Sequence, residues 1–398
     1  MPVRNPPTGV SVREEARASG TASMRLSTGN APLPRSARNV PRGMRPQDYE
    51  PDAPPPGPVV AADEFAVGVA GLDHDHIYGM CDGLAAAGAR IAWVFDPDGG
   101  KLERFRERFP AARAARSLDE ILDDAGVRLV ASAAIPSEHW PIGRRVLESG
   151  KDYFTDKPPF TALAQLAEAR AAVIATRRTY AVYYGERLHV ESALHAGTLI
   201  ARGAIGRVVH VMGAGPHRLN AGSRPPWFFE RARYGGIICD IGSHQAEQFL
   251  SYSGARRARV TSSRVANYAH PEHPELEDFG DFTCVADNGV AGYHRVDWFT
   301  PDGLRAWGDG RTVILGTEGY IELRKYVDVA RDASGDHVFV VNADGERHLS
   351  VRGKVGFPFF GDLIRDCLER TERAMTQEHA FDAAELALEA QARAVRLA

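Results

Sequence analysis

Lys157, Asp240 and His244 are residue types that could share one proton-transfer site. Asp240 and His244 fall in residues 234–244, Y-G-G-I-I-C-D-I-G-S-H, where two glycines precede a helical pattern. A four-residue spacing stacks two side chains on one helix face. An imidazole suits proton removal near neutral pH, and a neighbouring carboxylate can hold its tautomer. The same pair also fits a solvated Asp beside a core His satisfied by a backbone carbonyl, so it needs support from elsewhere. That support is Thr155-Asp156-Lys157-Pro158, which ends the strand-like run 152–154. A parallel sheet presents its carboxyl edge at such a point, and ligands bind in the crevice outside that edge. Lys157, Asp240 and His244 then supply a donor, an orienter and a base.

The elements that must position these residues alternate over the first ordered half. Residues 65–70, 91–95, 127–134 and 180–184 read as strands, with helical patterns between them at 77–85, 102–109, 118–124 and 163–176. This alternation with short connections predicts a doubly wound parallel sheet. After Glu186 the texture changes. A helix over 191–202 and a strand over 207–212 lead to the Asp240/His244 helix. Strand patterns then follow in a row at 258–268, 281–286, 289–298, 311–315, 320–324 and 337–341. Strands without intervening helices predict an open, mostly antiparallel sheet. Helical patterns at 360–373 and 380–397 close the chain. The expected division is a disordered tail over 1–62, a cofactor domain over 63–185 and a substrate and oligomerisation domain over 186–398.

The first strand runs into Gly71-Leu72-Asp73-His74-Asp75-His76, and Asp96 ends the second strand. Strand, Gly turn, helix and an acid about 25 positions after the Gly form the dinucleotide-binding layout. Asp96 is placed to hold ribose hydroxyls. Pro97 and Asp98 follow it where an Arg would favour a 2′-phosphate, so NAD is expected over NADP. The glycine pattern departs from G-x-G-x-x-G, because Asp73 and His76 occupy the second and third Gly positions. Asp73 could cap the helix, and His74 or His76 could supply a donor. A metal reading of His74 and His76 is disfavoured, since ligands in a tight turn entering a helix would diverge, and no metal is expected. The run 270–275, H-P-E-H-P-E, reads as a loop broken by its prolines.

The chain has 398 residues, 44% of them apolar, which allows two cores. A net charge of −4 gives no reason to expect nucleic acid or an anionic membrane as partner. No apolar run approaches the roughly 20 residues of a membrane span. The four cysteines are scattered, which fits reduced thiols in a cytoplasmic protein. Twelve of 25 prolines fall before residue 60, with no Phe or Trp among them. That composition predicts a solvated tail, or a translation start at Met24 or Met44.

From Phe65 onward the sequence resembles the Gfo/Idh/MocA oxidoreductases. The resemblance rests on the opening strand and turn, Asp96, Pro136 with His139, the run 147–151, Asp156-Lys157-Pro158, the run 203–206, Gly235-Gly236 with Asp240-Ile241-Gly242-Ser243-His244, and the run 316–319. Lys157 resembles the Lys of the family's E-K-P motif, with Asp156 one methylene shorter than its Glu. Asp240, Gly242 and His244 match D-x-G-x-H. The resemblance implies a Rossmann domain followed by an α/β domain whose open sheet forms homo-oligomers. It implies hydride transfer between a nicotinamide and a carbinol of a sugar, cyclitol or similar polyhydroxy substrate. Lys157, Asp240 and His244 are then catalytic. Gly71, Leu72, Asp73, His74, Asp96, Pro136, His139, Asp156 and Lys157 are expected at the cofactor, and His217 and Trp227 at the substrate. Two alternatives use the same fold: a hydrolase or lyase with a transient redox cycle on bound NAD, and a non-catalytic binding protein.

Overall fold

The computed structural model describes residues 44–51 and 55–397. Six parallel strands form the first sheet: β1 (Ala66–Leu72), β2 (Arg90–Phe95), β3 (Arg113–Ala114), β4 (Val127–Ala133), β5 (Asp152–Asp156) and β6 (Tyr180–Tyr183). Their spatial order is β3-β2-β1-β4-β5-β6. The direction of winding reverses between β1 and β4, which opens a crevice at their carboxyl ends. β1 and β4 are almost wholly buried, as an inner pair covered on both faces requires. Gly71, next to last in β1, has φ +85°, and a Cβ there would stand 2.6 Å from that of Ala134. Only Gly allows the chain to turn this close to the end of β4.

The second sheet has nine strands: β7 (Val208–Pro216), β8 (Ala258–Ala266), β9 (Phe279–Ala286), β10 (Ala291–Asp297), β11 (Arg311–Gly316), β12 (Gly319–Arg324), β13 (His337–Asn342), β14 (Gly345–Ser350) and β15 (Val395–Arg396). Their order is β14-β13-β12-β11-β7-β10-β9-β8-β15. Most pairs are antiparallel, and β7 with β10 and β8 with β15 are parallel. One face carries the core, with Ile314, Ile321, Leu323, Val338 and Val340 fully buried. The other face exposes Met212, Leu315 and Tyr320.

The α/β class and the order of the main elements match the sequence reading, with three differences beside the two-residue edge strand β3, which was not anticipated either. β14 was not anticipated, because its alternation is of charged and polar residues. The last helix stops at Ala392, and β15 takes the place of its expected final turn. The third difference concerns the tail. Residues 1–43 and 52–54 lie outside the described residues, but Pro46–Tyr49 forms a 3-10 turn with Tyr49 completely buried. The Tyr49 ring lies under the Arg347 guanidinium, and its hydroxyl accepts from Asn342 Nδ2 at 2.7 Å. The Tyr49 carbonyl accepts from His195 Nε2 at 2.7 Å. One aromatic residue thus anchors a segment whose composition reads as solvated.

Candidate active site

The Gly235-Gly236 pair sets the approach to Asp240. Both have positive φ, +91° and +99°, and a Cβ on Gly236 would meet the Gln391 side chain at 2.4 Å. The N–H groups at the start of the following turn, Ile237–Asp240, have no helical partner of their own. Glu277 Oε2 accepts from Ile237 N at 2.9 Å, and Gln391 Oε1 accepts from Ile238 N at 2.8 Å. Ile241 keeps helical geometry, so the turn passes directly into the helix Gly242–Ser253. The expected stacking of Asp240 and His244 is therefore present in the backbone.

Their side chains do not pair. Asp240 Oδ1 instead accepts from Lys157 Nζ at 2.6 Å, linking the end of β5 to the turn before the helix Gly242–Ser253. Both residues are buried. Burial opposes the Lys157 charge, but Asp240 and Asp156 outweigh it and hold its pKa above the usual value. The expectation that Asp240 orients His244 is corrected: it fixes the lysine. His244 is buried with its Nδ1 unpartnered. Burial pushes its pKa well below 6.5 against the opposing pull of Glu186, so the imidazole is neutral at pH 7.

Asp156 ends β5 and is also buried. Lys157 N donates to its Oδ1 at 2.7 Å, and His76 Nδ1 lies 2.9 and 3.0 Å from its two oxygens. His74 Nδ1 is 3.5 Å away. Burial would raise the Asp156 pKa, but His76, His74 and Lys157 hold it below the usual carboxylate range. The two imidazoles were expected to diverge. They converge instead, because β5 brings Asp156 alongside the turn. One ring nitrogen of each and an Asp156 oxygen lie within 4.8 Å of one another.

The turn after β1 and the end of β2 meet as a dinucleotide site requires. Asp96 is buried, its Oδ2 accepts from Leu72 N at 2.7 Å, and its Oδ1 accepts from Asp98 N at 2.9 Å. Asp73 does not cap the helix His76–Ala86, whose N-cap position belongs to Asp75 and lacks a side-chain cap. It pairs with Lys101 Nζ at 2.6 Å. That pairing offsets the negative charge that Asp73 would bring near a pyrophosphate. With Gly71 making the turn and Asp96 at the strand end, the residues present fit a nicotinamide dinucleotide. Pro136 opens the helix Pro136–Glu148, and His139 within it holds the Pro158 carbonyl through Nδ1 at 2.7 Å. His139 therefore also braces the lysine loop.

Beside His244 lies a cavity of about 320 Å³, lined by His76, Glu186, His217, His244, Trp307 and Tyr326. His217, expected at the substrate, lines this cavity. Burial pushes its pKa down to about 4. Trp227 is not among the cavity-lining residues, and it packs against Phe228 with ring centres 5.9 Å apart. Glu186, Trp307, Tyr326 and the buried Lys325 were missed from the sequence. Glu186 follows β6 at the same carboxyl edge that singled out Lys157, and that position was its only local signal. Trp307, Lys325 and Tyr326 come from loops far along the chain and carried none.

A parallel sheet wound for a dinucleotide, joined to an open-sheet domain that supplies a Lys-paired Asp and a buried His, defines a Rossmann-fold oxidoreductase of two domains. Residues 66–184 match the oxidoreductase family with the NAD-binding Rossmann fold, and residues 193–322 match the GFO/IDH/MocA C-terminal domain. The chain belongs to the Gfo/Idh/MocA family. It is 26% identical over 264 residues to scyllo-inositol 2-dehydrogenase (NAD(+)) of Bacillus subtilis, spanning 65% of this chain and 71% of that one. A crystal structure of a protein assigned as an oxidoreductase from Erwinia carotovora atroseptica is 50% identical, with a TM-score of 0.82, over 84% of this chain and 100% of that one. Levoglucosan dehydrogenase in complex with NADH and L-sorbose, 18% identical with a TM-score of 0.69 over 83% and 95% of the two chains, shares the fold.

Proposed function

We propose that this enzyme is an NAD-dependent dehydrogenase of a sugar, cyclitol or related polyhydroxy compound. The observation that carries the reading is the buried Lys157–Asp240 pair at the sheet's carboxyl edge, with a neutral, unsatisfied His244 one helical turn beyond Asp240. Gly71, Leu72, Asp73, His74 and Asp96, with Asp156 and Lys157, would hold the cofactor, which supplies the hydride acceptor when bound. Lys157, kept charged by Asp240, donates to the substrate oxygen and stabilises negative charge as its proton leaves. His244, neutral at pH 7, takes that proton. This general-base step is usually worth ~10²–10⁴ in rate. NAD is favoured over NADP because Asp96 and Asp98 make the ribose end acidic. The test is reduction of NAD⁺ by the purified protein with myo-inositol, scyllo-inositol, D-xylose and D-glucose. Failure to bind any nicotinamide cofactor would overturn the reading and favour a binding protein.

Self-association through the second sheet belongs to the same proposal. Leu315 pairs with Tyr320 across β11 and β12, and Met212 sits two strands from Tyr320 on β7, all exposed. Such an apolar face on an open sheet favours a second copy of the chain. Light scattering showing a monomer at micromolar concentration would refute it. Cys81, Cys239, Cys284 and Cys367 are all unpaired, and on that ground we propose a cytoplasmic location. No helix among the described residues is long and apolar enough to cross a membrane.

A further inference from the structure

Glu186 is 4% exposed and lines the cavity beside His244. Its Oε2 accepts from Lys325 Nζ at 2.9 Å and from Gln245 Nε2 at 3.0 Å. Its Oε1 is buried and accepts nothing. His217 Nε2 stands 3.8 Å from it, too far for a hydrogen bond. Burial raises the Glu186 pKa, but Lys325, His244 and His217 outweigh it and bring it to about 2. The group is therefore a carboxylate at neutral pH and can only accept. A buried acceptor with no donor is costly, and it marks a position that a ligand donor would complete.

The charges around the cavity narrow the ligand. Lys325 is completely buried and pairs with Glu186, as Lys157 pairs with Asp240. Each pair is neutral, so neither supplies a free cation for a carboxylate or phosphate. The cavity is at the small end of the ~300–1,000 Å³ usual for ligand sites, about the scale of one sugar ring. Trp307 packs edge-on to His217 with ring centres 4.4 Å apart and adds an apolar wall.

We propose that Glu186 is a specificity-determining residue whose Oε1 accepts a hydrogen bond from a second hydroxyl of an uncharged monosaccharide or cyclitol, beside the hydroxyl that is oxidised. The proposal rests on the dehydrogenase reading of the site. Lys325 acts as a positioning residue that keeps Glu186 ionised and occupies its Oε2, leaving Oε1 free to accept. An anionic substrate group at this position would meet a carboxylate and be rejected.

The experiment is a coupling test. Wild type is assayed with the best substrate among myo-inositol, scyllo-inositol, D-xylose and D-glucose, and with each of its monodeoxy analogues. Glu186→Gln alone would strand a buried lysine, so the comparison protein is Glu186→Gln/Lys325→Met, with its fold checked by circular dichroism and NADH binding. One analogue should lose roughly 10- to 150-fold in kcat/KM with wild type, the range for a hydrogen bond to a charged group. The same analogue should lose only about 2- to 13-fold with the double variant, and at least several-fold less than with wild type, because the acceptor is no longer charged. A penalty of the same size in both proteins, or no penalised analogue with wild type, overturns the assignment. A wild type that oxidises none of the four substrates overturns the dehydrogenase reading itself, which is a separate outcome. If the double variant does not fold, Lys325→Arg, which keeps the charge behind Glu186, should retain the wild-type penalty, and its disappearance there would also overturn the proposal.

Discussion

Asp240→Asn removes the charge that holds Lys157 and leaves the lysine buried. Removing one partner of a buried pair costs about 3–5 kcal/mol, because the remaining charge is uncompensated. Asp156 and Glu186 still pull on the Lys157 charge, so the lower end applies, about 3 kcal/mol. For about 350 ordered residues, an unfolding entropy of roughly 2.1 cal/mol/K per residue gives about 1.4 °C per kcal/mol, so the melting temperature should fall by roughly 4 °C at pH 7. The pH dependence gives a sharper test. In wild type the Lys157 pKa is raised above its ordinary 10.5. Its stabilisation is therefore fully present below 10.5 and is lost as pH rises through the folded value. In the variant, burial dominates and depresses the pKa. The unfolded chain then binds more protons than the folded one between the depressed value and 10.5, so the Lys157 contribution makes stability rise with pH in that window. The melting-temperature gap between variant and wild type should narrow from about pH 7 to about pH 9.5 when followed by differential scanning calorimetry. Lys157→Met/Asp240→Leu should recover most of the loss, since replacing a buried pair by apolar side chains is often neutral, while remaining inactive. A variant Asp240→Asn within about 1 °C of wild type, with a gap independent of pH, would refute the argument that the pair is desolvated and mutually dependent.

Deleting residues 1–43 should leave the melting temperature unchanged, whereas deleting 1–62 should lower it, because Tyr49 is fully buried. Loss of one large aromatic from a core costs about 3–5 kcal/mol. Calorimetry of the two truncations decides this. His244→Ala should lower kcat by ~10²–10⁴ with little change in NADH affinity by fluorescence titration. In wild type the His244 pKa lies well below 6.5, so the base is already free at neutral pH. Loss of its proton-accepting form should lower kcat/KM only in acid, with no His244 limb near pH 6.5. Asp73→Asn should release Lys101, which stands 3.9 Å from Asp96, and should raise the ratio of NADP to NAD use in steady-state assays. An unchanged ratio would place Lys101 away from the ribose.

Much of the fold was legible because strand and helix periods are local. Alternating apolar runs and helical stripes from Phe65 to Tyr183 contain the order of a wound sheet, and a lysine following β5 must lie at its carboxyl edge. Asp156, Lys157, Asp240 and His244 could therefore be picked out along the chain. What could not be read locally was which side chain meets which. Asp240 was within reach of His244 by helical spacing, yet it pairs with Lys157, 83 positions earlier. Desolvation makes that choice: a buried ammonium needs a carboxylate more than a neutral imidazole does. His74 and His76 likewise meet at Asp156 only because β5 lies beside their turn. Tyr49 is buried only because the second sheet and the helix Glu191–Ala201 give it a site. Composition and periodicity determined the layers, the crevice and most of the reactive residue types. Tertiary packing decided the ion pairs, the neutral state of His244 and the cavity at Glu186, because burial and charge pairing depend on neighbours remote in sequence.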